Sequence, residues 1–177
     1  IRAALRFGIR RFVADNPDEI RKFFPYRRRA ELLLRVSFRN PAAVVDLSRK
    51  FGCEPAAVPP LLRLARELGL RVRGLSFHVG SQVADPSKYV EAIDACRELM
   101  LDAGRAGGTA LDVLDIGGGF PVAYGGRVAA IGTFCRPIRR ELAALPPHVQ
   151  VIAEPGRFIA APAGTARHAP AALGTGG

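Results

Sequence analysis

At 177 residues the chain is long enough for one domain with its own core and short for two. Apolar residues make up 49% of it, which excludes a disordered polymer, and no apolar run reaches the roughly 20 residues a membrane-spanning helix requires. The net charge of +10 rests on arginine, since Lys22, Lys50 and Lys88 are the only lysines among 26 basic residues. The one tight cluster, Arg27-Arg28-Arg29, lacks the interleaved aromatic residues that stack on bases, so the charge reads as a solvated surface and not as a nucleic-acid site.

Arg11 to Asp15 predicts a first strand ending in a polar turn. Asn16-Pro17-Asp18-Glu19 then has the marks of a helix start, with Asn at the cap, Pro at the first helical position and acids in the first turn. Glu31 to Val36 predicts a second strand, apolar enough to be buried on both faces. A helical pattern runs from about Pro59 to Leu68, with Gly69 as its stop. Arg73 to Val79 predicts the third strand, and Asp85-Pro86-Ser87 opens a helix with Tyr89, Ile93, Cys96 and Met100 on one face. Leu111 to Ile116 reads as a fourth strand, Phe134 to Leu145 as a helix, and Val149 to Ala153 as a fifth strand. Strands alternating with helices predict an α/β fold with a parallel sheet.

From about Ala160 the sequence is nearly all Ala, Pro, Gly and Thr, so residues 161–177 are expected to form a poorly ordered tail. The chain does not begin with Met and shows no secretory signal, which reads as a segment of a longer, cytoplasmic protein. Cys53, Cys96 and Cys135 are far apart and have no zinc-type spacing, so reduced thiols and no metal site are expected.

In parallel α/β folds ligands bind at the carboxyl ends of the strands, where the chemistry-bearing residues stand here. The third strand is followed by His78-Val79-Gly80-Ser81-Gln82, the fourth by Gly117-Gly118-Gly119-Phe120-Pro121, and the fifth ends in Glu154-Pro155-Gly156-Arg157. Three successive glycines allow positive φ and close backbone approach, either as a plain tight turn or as a nest of N–H groups aimed at an anion. They match neither a GxGxxG fingerprint nor a P-loop. Gly156 can add an N–H and Arg157 a guanidinium fork to the same anion. Glu154, at the end of a strand read as buried, needs a partner, which is either an arginine or a ligand N–H. His78 is either a hydrogen-bonded core residue or a ligand contact, and Ser81 brings a hydroxyl beside it. Barrels of the (β/α)8 type often bind phosphate with the loops after their last two strands, which is where Gly117–Gly119 and Gly156-Arg157 stand.

Gly74-Leu75-Ser76-Phe77-His78-Val79-Gly80-Ser81, Leu114-Asp115-Ile116-Gly117-Gly118-Gly119-Phe120-Pro121 and Ala153-Glu154-Pro155-Gly156-Arg157-Phe158 resemble three signatures of the ornithine/diaminopimelate/arginine decarboxylase family, in the same order. The similarity extends from about Arg11 to about Ala161, and Val36-Ser37-Phe38-Arg39-Asn40 with Lys50-Phe51-Gly52 resembles the bacterial ornithine/lysine branch. The resemblance implies a partial TIM (β/α)8 barrel of the alanine-racemase-like type over residues 1–160, with about five βα units of the eight a closed barrel needs. It implies pyridoxal 5′-phosphate as cofactor and decarboxylation of a basic amino acid, ornithine or lysine, in polyamine biosynthesis by a homodimer.

By the same resemblance, His78 stacks on the cofactor ring and Glu154 pairs with its pyridine nitrogen, which makes these two the catalytic residues. Ser81, Gly119, Gly156 and Arg157 hold the phosphate, Gly117 and Gly118 belong to the same cofactor-binding turn, and Arg35 lines the pocket. The family's Schiff-base lysine is expected upstream of residue 1, since Lys22, Lys50 and Lys88 all read as surface side chains. A C-terminal β domain is expected beyond the other end. The chain alone is therefore expected to be inactive, and the alternative is a truncated, non-catalytic homologue that acts as a binding or regulatory protein. An unrelated phosphate-binding barrel is the remaining reading.

Overall fold

Five short strands pair in the order in which they leave the chain, in a computed structural model that describes residues 1–43, 45, 48, 50–105, 110–124 and 127–164. The strands are β1 (Arg11–Ala14), β2 (Glu31–Val36), β3 (Arg71–Phe77), β4 (Val113–Asp115) and β5 (Gln150–Ile152), and every neighbouring pair is parallel. The helices are α1 (Arg2–Arg6), α2 (Pro17–Lys22), α3 (Val58–Glu67), α4 (Ser87–Arg105), α5 (Ile131–Leu142) and α6 (Gly156–Ala160). A doubly wound sheet reverses direction at a switch point, whereas an unbroken 1-2-3-4-5 order is what the wall of a (β/α)8 barrel requires.

Local chemistry explains most boundaries. Asn16 holds an extended backbone, and its side chain accepts the Glu19 N–H at 2.9 Å, which caps α2. β3 starts two residues before the expected Arg73 because Arg71 and Val72 already pair with Glu31 and Leu32. A bulge then skips Arg73, freeing its guanidinium to bind Asp112 at 2.7 and 2.6 Å and Glu31 at 3.2 Å across the strand starts. β4 is shorter than expected because the glycine turn begins at Gly117. α5 begins at Ile131, ahead of Phe134. Neither α1 nor α6 was foreseen. α6 leads into a 3₁₀ turn over Ala161–Ala163, so helical backbone continues past the expected boundary at Ala160, in keeping with the helix propensity of alanine. The rest of the proposed tail, residues 165–177, lies outside the described residues.

The two faces of the sheet differ in character. Leu32, Leu34 and Val36 of β2, Leu75 and Phe77 of β3, and Leu114 and Ile116 at β4 join Ile20, Leu61, Ile93, Cys96, Phe134 and Ile138 from the helices in one core cluster. Side chains alternate along a strand, so the residues between them face the other way. The register Arg35–Ser76–Asp115 therefore sets a polar row on the inner face, ending against Ile152 of β5, next to His78, which lies two residues past Ser76. β5 is the sheet edge, with a burial pattern opposite to that expected, and Glu154 just beyond it is exposed. The reading of Glu154 as a buried carboxylate is thus corrected: among the described residues no strand lies beyond β5 to cover it.

Among the described residues, no helix is long and apolar enough to cross a membrane, and no group of three His, Cys, Asp or Glu side chains is placed to hold a metal.

Candidate functional site

The carboxyl ends of β3, β4 and β5 bring the three signature segments to one rim. The ladder continues past β4 and β5: Ile116 N–H donates to Ile152 O at 2.9 Å and Glu154 N–H to Gly117 O at 2.8 Å. Glu154 is thereby carried up beside the glycine turn. A β-carbon placed on Gly118 would lie 2.4 Å from Glu154 O and 3.6 Å from His78 Nε2. One on Gly117 would meet Phe77 O at 2.3 Å, and one on Gly119 would meet Gly80 O at 2.0 Å. His78, Gly80, Gly117–Gly119 and Glu154 are therefore immediate neighbours. The glycines are required because neighbouring backbone fills the space of their side chains. Gly117 (φ 65°) and Gly119 (φ 103°) add the left-handed conformation.

The turn is held from three sides. Asp115 Oδ1 accepts the Gly117 N–H at 2.9 Å, Tyr89 OH donates to Gly118 O at 2.8 Å, and Val83 N–H donates to Gly119 O at 2.9 Å. The N–H groups of Gly118 and Gly119 have no hydrogen-bond partner among the described residues. Ser81 follows Gly80, its N–H bonded to Val45 O at 3.2 Å and its hydroxyl without a partner among the described residues. Arg157 lies in the first turn of α6 and is exposed. Gly156 meets nothing within 4 Å, and its N–H donates to Glu154 O at 2.8 Å, across an inverse γ-type turn at Pro155. That N–H is therefore already engaged in this structure, unlike those of Gly118 and Gly119.

His78 is half-buried, and its Nδ1 accepts the Gly80 N–H at 3.1 Å. In the neutral ring the proton then resides on Nε2, on the side of Gly118. Burial first, and the Arg35 cation second, lower its proton affinity below that of an ordinary histidine, so the imidazole is uncharged at neutral pH. Arg35 holds its guanidinium carbon 5.1 Å from the centre of the Phe51 ring. Asp115 is buried, and burial pushes its carboxyl above the ordinary value, with the Gly117 N–H opposing the shift and Glu154 adding to it. Lys22 and Lys50 are exposed, and Lys88 pairs with Glu91 at 2.6 Å.

Three residues that support the site went unassigned from sequence. Tyr89 reads as a core position on α4, yet its hydroxyl reaches the glycine turn. Asp115 could have been found, because an Asp two residues before a glycine in a turn is an Asx-turn signal. Gln82 is the third. The two unpaired N–H groups of Gly118 and Gly119 lie side by side at the rim, an arrangement that can accept an anion. The imidazole of His78 and the backbone of Glu154 flank Gly118.

The family model described as pyridoxal-dependent decarboxylase, pyridoxal binding domain, matches residues 1–161. An ornithine decarboxylase of Panagrellus redivivus is 39% identical over 158 residues, covering 86% of this chain and 36% of that protein. A lysine/ornithine decarboxylase of Selenomonas ruminantium is 38% identical over 160 residues, covering 90% of this chain and 40% of its own length. The lysine/ornithine decarboxylase of Vibrio vulnificus, solved with putrescine, superposes with a TM-score of 0.83 at 48% identity, over 90% of this chain and 41% of that one. The same enzyme has been solved with cadaverine. The chain thus spans about 40% of the length of these relatives.

Proposed function

This chain belongs to the pyridoxal-dependent decarboxylase family, over its pyridoxal-binding domain, and we propose that the complete protein releases the α-carboxyl group of ornithine or lysine as CO₂. The observation that carries the proposal is the meeting of His78, Gly118 and Glu154 at one rim, with a Gly118 β-carbon position 3.6 Å from His78 Nε2 and 2.4 Å from Glu154 O. Likeness to the Selenomonas and Vibrio enzymes, which are named for lysine and ornithine together, supports a basic amino acid as the substrate.

The N–H groups of Gly118 and Gly119, the Ser81 hydroxyl and the Arg157 guanidinium hold the phosphate of pyridoxal phosphate, with Gly117 and Gly156 shaping the turns beneath it. The uncharged face of His78 lies on the ring and fixes its plane. The Glu154 carboxylate accepts a hydrogen bond from the pyridine nitrogen and keeps a proton there. Arg35 forms the wall of the pocket on the β2 side. When bound, pyridoxal phosphate supplies the sink for the electron pair left by departing CO₂, and a protonated ring is the better sink. A cytoplasmic homodimer completes the proposal, in keeping with the free thiols of Cys53, Cys96 and Cys135.

The test is purification of the intact protein with pyridoxal phosphate, followed by CO₂ release from ornithine, lysine, arginine and diaminopimelate in parallel. Release from ornithine or lysine at the highest kcat/KM is expected. A protein that takes up the cofactor but leaves all four substrates untouched would instead favour the non-catalytic homologue.

A further inference from the structure

Gln82 directly follows Ser81 and, among the described residues, is the non-glycine residue with positive φ, at 55°. Residues with a β-carbon avoid this left-handed region, and Gly, Asn and Asp are its usual occupants. What holds a glutamine there is visible in its side chain. Gln82 Nε2 donates to Val122 O at 2.9 Å, and Val122 N–H donates to Gln82 Oε1 at 2.8 Å. The carboxamide thus pairs with both backbone groups of one residue, as a neighbouring strand would. The next residue, Val83, donates its N–H to Gly119 O at 2.9 Å. On the other side, Ser81 N–H is bonded to Val45 O at 3.2 Å. Gln82 therefore stands where the loop after β3, which carries Ser81, is fastened to the loop after β4, which carries the unpaired N–H groups of Gly118 and Gly119.

We infer that Gln82 is a positioning residue for the phosphate end of the cofactor: its two-point clamp on Val122 and its left-handed backbone hold the Ser81 hydroxyl in register with the Gly118 and Gly119 N–H donors. This deepens the proposed function and rests on that rim binding pyridoxal phosphate. Gln82 does not touch the phosphate itself. Among the described residues, the hydrogen bonds between these two loops are its pair to Val122 and the Val83–Gly119 bond. A donor displaced by a fraction of a hydrogen-bond length is weakened sharply, and an anion held by several donors senses every one of them.

The intact protein, stripped of cofactor, is to be compared as wild type, Gln82→Ala and Gln82→Gly for affinity toward pyridoxal phosphate and toward pyridoxal, which lacks the phosphate. Gln82→Gly removes the clamp while accepting the left-handed φ freely, so it guards against a variant that simply fails to fold. Both substitutions are expected to weaken pyridoxal phosphate binding by about tenfold, equivalent to about 1.4 kcal/mol, with pyridoxal binding left within about twofold. Gln82→Gly binding pyridoxal phosphate as tightly as wild type would overturn the inference. Equal weakening of both ligands would also overturn it, because that pattern reports a general loss of structure. If the wild type itself takes up pyridoxal no worse than pyridoxal phosphate, the phosphate site fails and the cofactor reading fails before the role of Gln82 is reached.

Discussion

Asp115 is a buried carboxylate in a row of inner-face residues whose other members are Arg35, Ser76 and Ile152. Burial is the largest cause of its raised proton affinity, so the folded protein binds this proton more tightly than the unfolded chain. The sign follows from linkage: its favourable contribution is complete below the ordinary value of 3.8 and is lost as pH rises through the higher folded value. At neutral pH the ionised group is a net cost. Asp115→Asn keeps an oxygen for the Gly117 N–H, and its new amide has Ser76 Oγ, a buried hydroxyl with no partner, as a neighbour across the strand pair. Urea denaturation should therefore show Asp115→Asn more stable than wild type at pH 7, with the gap closing toward pH 4. Asp115→Ala should be less stable at both values, since the buried Gly117 N–H then loses its acceptor, a loss of about 1–3 kcal/mol.

Elements place these residues, and glycines set the limits of their approach. Gly119→Ala would force a β-carbon to 2.0 Å from Gly80 O at a φ of 103°, two independent faults in a rigid turn. A loss above about 2 kcal/mol in urea melts is expected. Gly156→Ala meets open space with no left-handed φ, so its stability should stay within about 0.5 kcal/mol of wild type. The same contrast explains what could be read from sequence. The apolar runs of β2 and β3 and the Asn16 cap of α2 identify their elements because local chemistry determines them. The tail of β5 does not, since edge or centre depends on what pairs with the strand, and so Glu154 was placed on the wrong side of the burial line. The meeting of His78 with Gly118 followed from strand-end position. The hydrogen bond from Tyr89 to Gly118, and that from Gln82 to Val122, cross between segments far apart in sequence, and no local pattern announces them.

At the scale of the molecule, β1 and β5 leave both sheet edges open, with Val13 50% and Val151 39% exposed. Open parallel edges next to exposed apolar side chains recruit further strands. These 177 residues, expressed alone, are expected to self-associate; light scattering after size exclusion is the check, and a monomer with one cooperative melt would refute the expectation. Arg73 matters at this scale as well, because its contacts with Asp112 and Glu31 tie the starts of β2, β3 and β4 on the side opposite the rim. Stability and cofactor chemistry are thus handled at opposite ends of the same strands.

The unbroken order of the sheet has a temporal meaning. Each of β2 to β5 finds its partner in the strand synthesised just before it, so within this run no apolar segment waits for a distant mate. From β1 to β5 growth can proceed vectorially, and the loops of the rim form one by one as β3, β4 and β5 are added.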